Sequence, residues 1–393
     1  MGQAVEIIDD VSFEELLNNP YPIFKRVRDL APVVKVEAAN IMMVTRFDDV
    51  MDVERDPETF SSVNPHSLLN TVIGPNLMRK DGADHAKERA AIDPSLRPGV
   101  VKRCWAEPIL AICDDVISHM EHKGEAELFQ EFAAPIAARS LANILGFDGV
   151  DWSTMALWSQ SLIDGSGNYS RNADIARKAQ EASRGVEEAI DRMLPYHRAN
   201  PNPSMLSSML RADPPQTREQ ICANIKVAVG GGLNEPRDSI LTLILGLLQN
   251  PDQLERVRAD PSLWGQAFEE AVRWISPIGM YPRLLTRDVE ISGTQLRKGD
   301  QIGLCVGAAN HDDRRFQSPE RFDVFREKKS HLAFGAGAHF CAGTWVSRAM
   351  VSQIVVPMAF ERLRNLRLKD PKLVRIRGWV FRGPTHMPVV WDV

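Results

Sequence analysis

A chain of 393 residues, 44% apolar and 25% charged, has the material for a large packed core and excludes a disordered or fibrous protein. Its formal net charge of −5 offers no overall attraction to nucleic acid or to an anionic membrane. Residues 1–10 carry three acids and no base, unlike a secretory signal or a basic presequence, and no apolar run reaches the ~18 residues of a membrane helix. A cytoplasmic protein is expected.

In chain order, apolar residues at helical spacing predict helices over 24–30, 100–123, 131–145, 174–198, 221–250, 263–274 and 344–363. Short β-branched runs bounded by Gly, Asn and Pro predict strands over 33–36, 41–44, 289–291, 301–306 and 389–391. The Pro-rich stretches 200–203 and 213–215 read as loops between helices. The expected fold class is mainly α with a small β portion, and residues 1–393 read as one domain.

One predicted helix carries Gly230-Gly231-Gly232-Leu233-Asn234-Glu235-Pro236. Each interior Gly costs roughly 0.5–1 kcal/mol against Ala, and Pro236 removes a donor at a cost of ~3 kcal/mol. A kink or local opening is predicted there.

The five cysteines are scattered, odd in number and without a Cys-x-x-Cys, so neither a disulfide framework nor a structural zinc site is expected. Cys341 differs from the other four. It closes Phe334-Gly335-Ala336-Gly337-Ala338-His339-Phe340-Cys341-Ala342-Gly343, just before a predicted helix N-terminus, where an anion is stabilised. The glycines permit tight turns and close backbone approach to a flat ligand. Alone, this loop admits both a metal-ligating thiolate and a buried Cys in a Gly-rich turn.

The loop matches Phe-Gly-x-Gly-x-His-x-Cys-x-Gly at every fixed position and so resembles the haem-binding loop of the cytochrome P450 family, soluble bacterial members above all. The resemblance implies the cytochrome P450 fold, haem b (iron protoporphyrin IX) as cofactor and Cys341 as the iron ligand, with Phe334 and Gly335 beside it. Three more segments agree in order. Glu270-Ala271-Val272-Arg273 and Pro319-Glu320-Arg321-Phe322 resemble the family's structural triad, implying Glu270, Arg273 and Arg321. His85-Ala86-Lys87-Glu88-Arg89 resembles its His-x-x-x-Arg, whose two side chains share a helix face. By the same resemblance His85, Arg89, Arg283 and His339 bind the haem propionates, which require cationic donors.

The sequence departs from the family on the 221–250 helix. Gly231-Gly232 align with the family's small pair and imply Gly232 against the cofactor. Asn234 then replaces the usual acid and Glu235 the usual Thr. Burial favours a neutral carboxyl, the competent proton donor, so Glu235, with Asn234, is the expected catalytic pair. The Asn-Glu-Pro variant resembles a bacterial branch with reductase-fused members. A related Gln-Glu-Pro branch contains aromatic O-demethylases, which the run 378–385 also resembles.

The implied activity is that of a monooxygenase that activates dioxygen and hydroxylates or O-dealkylates a small, mostly apolar, methoxylated-aromatic type of substrate. Candidate lining segments are 62–78, 157–169, the surroundings of Leu233, 278–281 and Phe381, with Trp158, Tyr169, Tyr281 and Phe381 as aromatics. Electrons are expected from a separate ferredoxin or flavodoxin with its NAD(P)H-dependent reductase. Arg97, Lys102 and Arg103 are candidates for docking such an acidic partner, and equally for an ordinary solvated face. Two other readings stay open: a hydrogen-peroxide-driven peroxygenase and a non-catalytic haem sensor.

Overall fold

The computed structural model describes residues 3–168 and 171–393. Helix accounts for 58% and strand for 13%, the mainly helical fold with a small β portion that the patterning calls for. Packing divides the chain into two compact units. The first comprises Met1–Asn64, Leu241–Cys341 and Pro371–Met387, and the second Pro65–Ile240, Ala342–Asp370 and Pro388–Val393.

The first unit is built on a six-stranded sheet. Its strands run in the order Glu6–Ile8, Val33–Val36, Ile41–Val44, Gln301–Leu304, Tyr281–Leu285 and Phe60–Ser61. Alternate side chains leave a strand on opposite faces. Val33, Val44, Ile302 and Leu304 accordingly pack with Phe47, Val50 and Phe316 on one face. Val34, Val36, Ile41 and Met43 pack with Phe24, Val27 and Trp379 on the other. Both faces are covered, which is why these strands read as continuous apolar runs. The hairpin between them pairs Val33 with Val44 and Val36 with Ile41, and turns at Asn40, whose φ of 49° lies in the left-handed region Asn tolerates.

The strand Tyr281–Leu285 escapes the sequence pattern because it contains Pro282. Its neighbour Phe60–Ser61 pairs only with Leu284 and Leu285, so Pro282 needs no donor on that side. Residues 281 and 283 lie on one face of it.

The second unit is mainly helical, with a three-stranded antiparallel sheet of Arg364–Leu368, Pro388–Asp392 and Glu125–Glu127. Its longest complete helix, Ala173–Ala199, buries Ala179, Ala182, Ser183, Val186, Ala189, Ile190 and Leu194, one stripe at helical spacing. Asn172 caps it, accepting from the amides of Asp174 and Ile175. Three expected helices contain a widened π stretch, at Val101–Trp105, Phe129–Ala133 and Ala349–Val355. Each is followed within three residues by a proline: Pro108, Pro135 and Pro357. A proline clashes with the carbonyl four residues before it, and in all three cases that carbonyl lies in the widened turn.

The helix Arg218–Leu248 is continuous through Gly230–Gly232 and Pro236, so the expected opening does not interrupt the element. What is unusual is local. The Gly230 carbonyl receives two side-chain donors, Ser159 Oγ at 3.2 Å and Asn234 Nδ2 at 3.3 Å. At the boundaries, the predicted strand 301–306 stops at Leu304, and Val306–Ala309 forms a helical turn instead.

Candidate functional site

In the first unit the helix Leu263–Trp274 places Glu270 and Arg273 three residues apart on a buried face. Their contact is a bidentate fork: Arg273 Nε donates to Glu270 Oε2 at 2.7 Å and Nη2 to Oε1 at 2.7 Å. The second guanidinium on Glu270 belongs to Arg326, with Nε 3.3 Å from Oε1, and not to Arg321 as expected. The side chain of Arg321 is exposed, and only its carbonyl takes part, accepting from Arg273 at 3.0 Å and from Arg326 at 2.9 Å. The chain turns at Ser318, with φ of 46°, and closes a hydrogen bond from the Arg321 amide to the Ser318 carbonyl. The turn presents backbone oxygens to the fork and leaves the last arm to a residue five positions on.

This fork reaches the cysteine loop through Asn310. Arg273 Nη1 donates to the Asn310 carbonyl at 2.9 Å. The buried Asn310 side chain accepts from the Leu332 amide at 2.7 Å and donates to Ser276 Oγ at 2.8 Å. From Leu332 the loop folds on itself, with Gly335 N–H donating to the Leu332 carbonyl at 2.8 Å and Cys341 N–H to the Phe334 carbonyl at 2.9 Å. Phe334 packs against Phe268 of the Glu270 helix. Gly335 and Gly337 have φ of 67° and 62°. A Cβ on Gly337 would come 2.3 Å from the Glu54 carbonyl, so the loop lies directly on the helix Phe47–Arg55.

The remaining expected residues of this unit cluster near the loop. His339 Nε2 lies 3.1 Å from the Ser62 hydroxyl. Arg283 is buried on the sheet, donates to Glu54 Oε1 at 3.3 Å and to the Pro282 carbonyl at 3.1 Å, and lies 5.0 Å from the Tyr281 ring. Glu54 was not foreseen. Its carboxylate also accepts from the Ala336 amide at 3.4 Å, and no local pattern marks a residue whose partners are 229 and 282 positions away.

The thiols divide as the loop suggests. Burial pushes Cys113 up to about 12 and Cys222 up to about 11, and Cys305 upward as well, so these three are protonated packing groups. Cys104 and Cys341 are partly exposed, and only Cys341 stands on a glycine-turned loop that shares its unit with Arg283 and His339. A soft thiolate donor with cations for two carboxylates is the donor set haem b requires, and the residues of this unit fit it.

In the second unit, His85 and Arg89 share a face of the helix Gly82–Leu96. His85 is buried, and Arg89 Nε donates to Asp93 Oδ1 at 2.9 Å. Glu88 between them accepts from Asn224 at 2.8 Å and from Gln220 at 3.1 Å, and pairs with Lys80. Gly232 meets Leu141: a Cβ there would lie 2.7 Å from Leu141 Cδ1, so a side chain at this position would make the Leu141 methyl shift. Asn234 is buried, with Nδ2 3.0 Å from Ser159 Oγ, and its Oδ1 has no partner. Glu235 Oε2 is likewise inaccessible and without a hydrogen-bond partner. Burial, opposed by a backbone amide and reinforced by Asp238, pushes the Glu235 carboxyl up to about 8. Arg237, the adjacent cation, is committed to Asp238 at 2.8 Å and lies over the Phe129 ring.

Of the aromatic candidates, Trp158 sits where a Cβ on Gly185 would touch it at 2.7 Å, the position of a helix-packing residue. Phe381 bridges to Ile278, and Tyr169 lies outside the described residues. Arg97, Lys102 and Arg103 are all exposed. Among the described residues no helix is long and apolar enough to cross a membrane.

A family profile described as Cytochrome P450 matches residues 258–376. The chain is 25% identical to pulcherriminic acid synthase of Bacillus subtilis over the full length of both. It is 29% identical to a steroid C26-monooxygenase of Mycobacterium tuberculosis, over 88% of this chain and 93% of that one. Its fold superimposes with a TM-score of 0.88 on the crystal structure of P450BioI in complex with an acyl carrier protein ligated to hexadec-9Z-enoic acid, at 26% identity over 97% of this chain and 100% of the other.

Proposed function

We propose that this chain, which belongs to the cytochrome P450 family and is a haem b monooxygenase, hydroxylates or O-dealkylates a small, mostly apolar substrate of the methoxylated-aromatic kind. It acts along its whole length, 1–393, as one cytoplasmic haem domain. Haem b, bound through a thiolate, supplies dioxygen activation and the oxidation itself. Cys341 is the ligand, its loop held by hydrogen bonds to Leu332 and Phe334 and by the fork at Glu270. Arg283, His339, His85 and Arg89 bind the carboxylates of the cofactor, and Phe334, Gly335 and Gly232 lie against it. Electrons come from a ferredoxin or flavodoxin with its NAD(P)H-dependent reductase. The exposed cations Arg97, Lys102 and Arg103 suit an acidic partner.

The observation that carries the chemistry is Glu235. A carboxyl pushed up to about 8 is neutral at pH 7 and holds a proton to donate. It stands where the family usually has Thr. Asn234 is tied to Ser159 and the Gly230 carbonyl, fixing the turn from which Glu235 projects. The substrate class is supported by the likeness of 234–236 and 378–385 to the O-demethylase branch. The test is product formed per NAD(P)H in Glu235→Gln, expected to fall while NAD(P)H consumption continues. Unchanged coupling removes Glu235 from the proton path. Formaldehyde release with a small neutral aromatic methyl ether checks the substrate class, and a spectral titration that moves only with large aliphatic ligands overturns it. Because a carboxyl donor also suits hydrogen peroxide, turnover with peroxide alone, faster than with the electron chain, would make the enzyme a peroxygenase.

A further inference from the structure

Glu54 is a buried carboxylate of the first unit that touches both the cysteine loop and the Arg283 strand. Its side chain is 1% exposed. Oε1 faces the Arg283 guanidinium at 3.3 Å and Oε2 accepts from the Ala336 amide at 3.4 Å, two residues into the glycine turn that leads to Cys341. Its backbone carbonyl is the atom that forbids a side chain at Gly337. The Tyr281 hydroxyl is buried beside it, and the carboxylate's charge is among the causes that raise Tyr281 above its ordinary range, after burial. A carboxylate whose only duty was to fix Arg283 would be served by a short bidentate fork like that of Glu270 and Arg273, at 2.7 Å in both arms. Glu54 makes a looser, shared contact instead, with one oxygen on the guanidinium and the other on the loop.

We infer that Glu54 is a positioning residue of the cofactor pocket: it holds Arg283 and the Ala336 amide together and sets its carboxylate beside the cysteine loop, lowering the reduction potential of the bound iron. In a medium of low dielectric a nearby anion stabilises the more positive oxidation state, and outer partners of this kind tune a metal without touching it. By sharing its guanidinium with Glu54, Arg283 presents less net positive charge to the cofactor than an unpaired arginine would. The inference rests on the haem-thiolate reading.

The experiment compares the substrate-free holoenzyme with Glu54→Gln and Glu54→Asp, measuring the ferric/ferrous midpoint potential and the ferrous carbon-monoxide spectrum. Gln keeps the size and the acceptor and removes the charge; Asp keeps the charge. The Gln variant is expected to shift the potential upward with a thiolate-type spectrum retained, and the Asp variant to return most of the way. Failure of the Gln variant to retain haem, with the Asp variant loaded and near the wild-type potential, also supports the inference, since the charge is what the Asp variant preserves. Equal potentials in wild type and Gln overturn it, as do equal shifts in both variants or haem loss from both, which would make Glu54 a packing residue. A wild-type enzyme without the thiolate-type spectrum would instead refute the haem-thiolate reading.

Discussion

Two buried glutamates, one in each unit, show what partners do to the same functional group. Glu270 is saturated: two bonds from Arg273, one from Arg326 and one from the Asp323 amide at 2.8 Å. Glu235 is starved, with a buried oxygen that meets no donor and a neighbouring arginine already spoken for by Asp238. An ion pair whose carboxylate accepts four hydrogen bonds is a scaffold that is costly to break. A carboxyl desolvated without a partner keeps its proton and can hand it on. The difference separates a carboxylate that ties the cysteine loop to its helix from a buried carboxyl that keeps its proton.

The comparison breaks most completely at the loop that the scaffold supports. Cys341→Ser is expected to abolish turnover and the thiolate-type ferrous carbon-monoxide spectrum, while Cys305→Ser and Cys113→Ser retain both; pyridine haemochrome content and the spectrum check this.

On the scaffold itself, Arg273→Ala strands a buried carboxylate and should cost about 3–5 kcal/mol. Arg321→Ala, which removes an exposed side chain and leaves the carbonyl in place, should stay within about 0.5 kcal/mol. Urea titration of the two variants decides whether the Arg321 side chain takes part in the fork.

At the starved carboxyl, Glu235→Gln should lower coupled turnover by about 10²-fold. Its pH signature has a definite sign. The folded state holds this proton up to about 8 and the unfolded chain releases it near 4.5. The contribution to stability is therefore full below the unfolded value and is lost as pH rises through the folded one. The melting temperature of Glu235→Gln relative to wild type should rise between about pH 5 and about pH 9; a constant difference would show that the carboxyl is not desolvated.

The smallest effect concerns the Gly230 carbonyl. Ser159→Ala removes one of its two side-chain donors and the partner of Asn234 Nδ2, and should cost about 1 kcal/mol with a change in the coupling of Glu235 smaller than that of Glu235→Gln. Coupling unchanged to within error would mean that Asn234 needs no Ser159 to fix the turn.

What the sequence by itself determined is local and periodic. The helix Leu263–Trp274 and the strands Val33–Val36, Ile41–Val44 and Val289–Ile291 follow from side-chain spacing alone, because burial repeats with the period of the element. Cys341 was legible because glycines, a histidine and a helix start lie within ten residues of it. The tertiary structure alone decided the rest. It replaced Arg321 by Arg326, since a turn at Ser318 exchanges a side chain for a carbonyl. It made a strand of Tyr281–Leu285 despite Pro282, since the edge beside the proline needs no donor there. It also brought Glu54 to Arg283 and Ala336 across more than two hundred residues, a contact that no spacing rule encodes because it depends on how a helix and a sheet are packed.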